Sequence, residues 1–88
     1  MDAILSSITL PQLAFIEDQL SNNEVSSDEE LRSQFLAAGL SPEQAARAIT
    51  YREIYLREIF LEGHTPIIKG DEALQFDPHR CEFVRFKS

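Results

Sequence analysis

The sequence predicts a small α+β domain, mainly helical, with a three-helix core over about 9–21, 27–38 and 42–62 and a C-terminal antiparallel β-hairpin or meander. Three observations predict it. Each helical segment opens on a hydroxyl residue with Gln or Glu three positions later, followed by apolar residues at three- and four-residue spacing. Beyond Gly63 the pattern shortens to apolar runs separated by turn residues. A chain of 88 residues, 43% apolar and 26% charged, has room for one core, so residues 1–88 form a single domain.

The first helix starts at Thr9-Leu10-Pro11-Gln12, a capping box in which proline is harmless because a first-turn N–H has no intrahelical partner. Leu10, Leu13, Ile16 and Leu20 give it an apolar stripe, and Ser21-Asn22-Asn23 ends it. The second opens at Ser26 or Ser27, where Asp28, Glu29 and Glu30 favour the positive end of the helix dipole. Leu31, Phe35 and Ala38 form its stripe; Gly39 supplies a left-handed C-terminal residue and Leu40 folds back beside it.

The third helix begins at Ser41-Pro42-Glu43-Gln44, and no further Gly or Pro occurs until Gly63, so the spacing predicts one rod of roughly 30 Å. One face carries Ala45, Ala48, Ile49, Tyr55, Leu56, Ile59 and Phe60, with Arg52 in its middle. A guanidinium there has to extend its head to water or meet a carboxylate from the acidic N-terminal half. Tyr51, Ile54 and Leu61 form a second, narrower stripe, to be covered by the C-terminal ribbon through Phe76, Phe83 or Phe86, or by another protein. In the tail, Thr65–Lys69, Leu74–Phe76 and Cys81–Phe86 read as extended segments.

Charge supplies the functional expectation. The net charge is −7; residues 1–40 hold seven acids and one base, while residues 41–88 hold eight acids and seven bases. Such a field repels phosphate and attracts a cationic protein surface. The sequence therefore predicts a non-enzymatic, regulatory, adaptor or inhibitor-like protein that binds a partner protein, itself basic. Glu17, Asp18, Glu24, Asp28, Glu29 and Glu30 would make the electrostatic contact, and Tyr51, Ile54 and Leu61 the apolar one.

Other chemistries find little support. His64, His79 and Cys81 match no metal-ligand spacing, and the isolated glycines form no phosphate loop, so neither cofactor nor metal is expected. A short acidic chain has scant means to enclose and tune a catalytic pair. Two alternatives remain. In the first, helices two and three outline a DNA-binding helix-turn-helix, with Arg47 and Arg52 on the recognition helix and His79, Arg80, Arg85 and Lys87 near phosphates. In the second, the narrower stripe is a homo-oligomer interface. Residues 35–49 resemble the loop and second helix of ubiquitin-associated domains, although the helix expected here runs to Glu62, longer than theirs; no functional residue carries over. One cysteine, no membrane-length apolar run and no basic leader at Met1-Asp2-Ala3 lead to the expectation of a cytoplasmic protein.

Overall fold

The computed structural model describes residues 1–61 and 63–86. Glu62, the expected end of the third helix, and Lys87, a candidate phosphate contact, lie outside them. Four helices, a single helical turn and a two-stranded antiparallel sheet follow in chain order: α1 (Leu10–Asn22), α2 (Asp28–Ala37), α3 (Pro42–Ile49), α4 (Arg52–Arg57), α5 (Pro66–Lys69), a 3₁₀ turn at Gly70–Glu72, β1 (Leu74–Asp77) and β2 (Glu82–Arg85). The fold is α+β and mainly helical.

Three reciprocal capping boxes set the helix starts. The Thr9 hydroxyl accepts from the Gln12 amide at 3.2 Å, while the Thr9 N–H donates to Gln12 Oε1 at 2.8 Å. Ser27 with Glu30 and Ser41 with Gln44 repeat the arrangement, which makes Ser27 rather than Ser26 the cap of α2. The end of α2 is a Schellman turn: Leu40 N–H donates to Phe35 O and Gly39 N–H to Leu36 O. Gly39 has φ +102°, and a Cβ there would stand 2.9 Å from Gln12 Nε2, so the turn needs glycine twice over.

α1 packs against α4 and α2 against α3. Between them lie Leu13, Ile16, Leu20, Leu31, Phe35, Leu40, Ala45, Ala48 and Tyr55, joined by Leu5 and Ile67. Leu10, expected in the first stripe, is instead 80% exposed. At about 100° per residue it stands some 90° from the centre of Leu13, Ile16 and Leu20. Leu5, from the segment that precedes α1, fills the core in its stead.

The unbroken rod over 42–62 is corrected. α3 stops at Ile49 and α4 starts at Arg52; between them the amides of Thr50 and Tyr51 bond three residues back, to Arg47 and Ala48. This tightened turn advances the chain about 20° per residue beyond helical phase. Ile49-Thr50-Tyr51 are β-branched and aromatic, and the Thr50 hydroxyl donates to the Arg47 carbonyl at 2.6 Å, competing with the helical pattern. α4 in turn ends at Arg57, and Glu58 is extended.

The chain after Glu58 runs beside β1 as a third, strand-like segment. Phe76 N–H donates to Ile59 O at 2.7 Å and Leu61 N–H to Leu74 O at 2.9 Å. β1 pairs with β2 in the register Leu74 with Arg85 to Asp77 with Glu82, which is the expected hairpin. Residues 65–69, expected to be extended, form α5 instead. Thr65 holds the extended geometry of an N-cap and Pro66 occupies the first turn, where its fixed φ suits a helix.

Candidate partner-binding face

The loop between α1 and α2 is the hinge of the acidic region, and Arg52 fixes it. Asn23 Oδ1 accepts from the Val25 and Ser26 amides, closing the loop on itself. From α4 the Arg52 guanidinium reaches across: Nη1 donates to Asp28 Oδ1 at 2.7 Å, and Nη2 donates to the carbonyls of Asn23 and Ser26. The side chain is 12% exposed, so the carboxylate expected from the N-terminal half is Asp28, and two backbone carbonyls share the cation. Arg52 holds structure together rather than forming an open site.

With the loop so placed, three depressions follow one another along the seam between α1–α2 and α3–α4. The first, about 530 Å³, is lined by Glu17, Asp18, Ser21, Asn22, Tyr55, Leu56, Glu58, Ile59, Phe60 and Thr65, with Ala14. The second, about 460 Å³, is lined by Glu24, Ser26, Asp28, Ile49, Thr50, Arg52, Glu53 and Leu56. The third, about 360 Å³, lies among Asp28, Glu29, Arg32, Ala46 and Ile49. Leu56 borders the first two, and Asp28 and Ile49 the last two, so the three form one continuous face.

Seven carboxylates line this face (Glu17, Asp18, Glu24, Asp28, Glu29, Glu53 and Glu58) against Arg32 and Arg52, and Arg52 is already committed to Asp28 and the loop. Its apolar part is Ile49 and Leu56, both half-buried, and Ile59, 67% exposed. Ile59 was expected on the buried side of a long helix. Because α4 ends at Arg57, it projects outward beside β1 instead. Val25, in the pinned loop, is 96% exposed.

Five of the six acids expected from sequence therefore come together. Glu30 does not line the face; its carboxylate accepts the Ser27 N–H, and that bond, helped by the Ser27 hydroxyl, holds its pKa below the ordinary glutamate value. Glu53 and Glu58 were missed, since nothing before the α3–α4 break is placed shows their phase. Within the first depression, Tyr55 donates its hydroxyl proton to Glu17 at 2.7 Å. Burial, reinforced by the Glu17 charge, pushes the Tyr55 pKa far above the usual phenol value, so the proton stays on the tyrosine.

The apolar trio lies elsewhere. Tyr51 and Ile54 line a separate depression of about 450 Å³ with Met1, Asp2, Arg47, Pro66, Lys69, Gly70 and Phe86. Leu61 is half-buried and bonded to β1. The N-terminal segment crosses this side: Asp2, with its side chain 6% exposed, accepts from Arg47 Nε at 2.8 Å and from the Tyr51 hydroxyl at 2.6 Å. Burial pushes the Asp2 carboxyl up, but the bonds from Tyr51, Arg47 and the Ile4 amide outweigh it and leave the pKa lowered. Arg47 and Arg52, the two helix cations required by the DNA-binding alternative, are thus both engaged inside the chain.

Cys81 and His79 sit in the exposed β-hairpin turn, whereas His64 is bonded near Leu61 on the opposite side of β1. Among the described residues no three His, Cys, Asp or Glu side chains stand together in a way that could hold a metal ion, and no helix is long and apolar enough to cross a membrane. Compared with protein-family models, curated proteins and solved structures, the chain matches none.

Proposed function

We propose that this chain is a non-enzymatic binding module whose acidic face receives the basic surface of a partner protein. One observation carries the reading: acids that are scattered in the sequence are gathered along a single seam, over an apolar floor, while the one cation buried there is spent on the loop. A field of one sign speeds the encounter with an oppositely charged surface. Ile49, Leu56 and Ile59, with Val25 at the margin, supply the apolar area that such contacts need for lifetime. Tyr51, Ile54 and Leu61 fall outside this contact, because the first two face the N-terminal segment and the third joins the ribbon.

A titration with an acetylated, amidated peptide of alternating arginine and leucine tests the reading. Binding is expected at low salt, weakening steeply as the Debye length falls below about 10 Å, and at least about tenfold weaker for the charge-reversed double variant Glu24→Lys, Glu53→Lys. Absence of binding at low salt, or binding unchanged by that variant, contradicts it. A regular, salt-insensitive dimer in light scattering would instead favour the oligomer alternative.

A further inference from the structure

We infer that the depression beside the N-terminal segment, away from the acidic face, is a binding site for a small carboxylic acid with an apolar body. Its volume is about 450 Å³, and Asp2, Arg47, Tyr51, Ile54, Lys69 and Phe86 line it. That size falls within the roughly 300–1,000 Å³ of small-molecule sites. In a chain of net charge −7, this lining carries two cations against one acid. The acid is already spent: Asp2 has its side chain 6% exposed and accepts from Arg47 Nε and from the Tyr51 hydroxyl.

That pairing holds the guanidinium by one edge and leaves the other to a ligand. Arg47 Nη2 reaches only the Tyr51 oxygen, at 3.5 Å, and Nη1 has no partner among the described residues. The guanidinium also lies over the Tyr51 ring, 5.3 Å from its centroid, so its plane is set before anything binds. Lys69, at the end of α5, is exposed and has no partner for its ammonium among the described residues. A planar carboxylate matches the two parallel N–H groups of a guanidinium edge, and an ammonium beside it adds a point charge. With Asp2 set against Arg47, one negative charge on the ligand balances the lining.

The walls select the rest of the molecule. Tyr51, Ile54 and Phe86 are half-buried and give the depression an apolar side. The two rings are braced from behind, Phe86 by Phe60 at 5.3 Å between centroids and Tyr51 by Tyr55 at 6.2 Å. Inorganic phosphate would meet the cations and leave these walls wet, whereas a neutral apolar molecule would leave the guanidinium edge unused.

The test titrates three probes of one shape into the whole chain, followed by amide shifts in nuclear magnetic resonance: 3-phenylpropionate, 3-phenylpropan-1-ol and 3-phenylpropylamine. The acid is expected to bind with a Kd of about 1 mM, shifting Tyr51, Ile54, Lys69 and Phe86, and the alcohol and amine at least about tenfold more weakly. Lys69→Glu is expected to weaken the acid by about tenfold at an unchanged unfolding midpoint, and Lys69→Arg to keep its affinity. Phe86→Ala is expected to weaken it several-fold without making phosphate a better ligand. No shifts with the acid at about 10 mM, equal binding of acid and alcohol, phosphate binding as tightly as the acid, or an affinity that survives Lys69→Glu would each overturn the site.

Discussion

The two sides of this molecule use charge in opposite ways. Beneath the N-terminal segment, Asp2, Arg47 and Tyr51 satisfy one another at 2.6–2.8 Å, and the acid involved is almost wholly withdrawn from water. Along the seam between the helix pairs, carboxylates crowd together, and Asp28, itself 71% exposed, is held by Arg52 at 2.7 Å. Glu53 is 87% exposed and meets Arg57 no closer than 3.7 Å. Paired, desolvated groups stabilise a fold, whereas exposed like charges contribute little or work against it. The first side holds the chain together, and the second presents it to something else. Arg52 stands between the two uses: it lies on the presenting side but acts entirely as a fastener.

Substitutions at three positions break or sharpen this contrast, and the largest effect belongs to Arg52. Arg52→Ala leaves the carbonyls of Asn23 and Ser26 without their donor inside the α1–α2 loop, and is expected to cost about 2–4 kcal/mol in urea unfolding. Arg52→Lys is expected to recover less than half of that, since an ammonium does not span three acceptors in a plane. If Arg52→Ala unfolds at the wild-type midpoint, the fastening role is wrong.

Asp2→Asn comes next, at about 1–2 kcal/mol, because Arg47 and Tyr51 keep a weaker, uncharged acceptor. Its pH signature is more telling than its size. A carboxyl whose folded pKa lies below the ordinary 3.8 contributes stability that is complete above that value and is lost as pH falls through the lower folded one. Wild type should therefore lose more stability than Asp2→Asn on acidification through pH 3.8, as followed by circular dichroism. Parallel acid-unfolding curves would show that Asp2 titrates as if exposed.

The smallest effect lies in the ribbon. Cys81 closes the β1–β2 turn with φ +54°, a left-handed value that costs a side chain about 1–2 kcal/mol. Cys81→Gly removes the strain but adds freedom to the unfolded chain, for a net gain of about 0.5 kcal/mol. A lower midpoint in thermal unfolding would mean that the thiol makes a stabilising contact.

Much of this was legible before any coordinates. The three capping boxes and the Gly39 turn depend on residues three or four apart, and local chemistry decides them. Arg52 on an apolar face already had to extend its head to water or meet a carboxylate from the first half of the chain, and the structure takes the second course with Asp28. The break at Thr50 was not legible, because no glycine or proline marks it and the local weakness at Ile49-Thr50-Tyr51 is joined by distant contacts: Asp2 binds Tyr51 and the 23–28 loop binds Arg52. Ile59-Phe60-Leu61 read as helix for a similar reason, since their pairing with β1 exists only once the ribbon has docked. The same dependence hid part of the site. Five of the six acids named from the N-terminal half line the face, but their alignment with Glu53 and Glu58 arises from the packing of α1 on α4.

The division between holding and presenting charge is tested most directly by one paired measurement on Glu24→Gln, Glu53→Gln: unfolding free energy in urea, and affinity for the alternating arginine–leucine peptide at low salt. The stability of this variant should equal or exceed that of the wild type, while its affinity falls several-fold. A clear loss of stability with affinity unchanged would mean that these carboxylates serve the fold and not a partner.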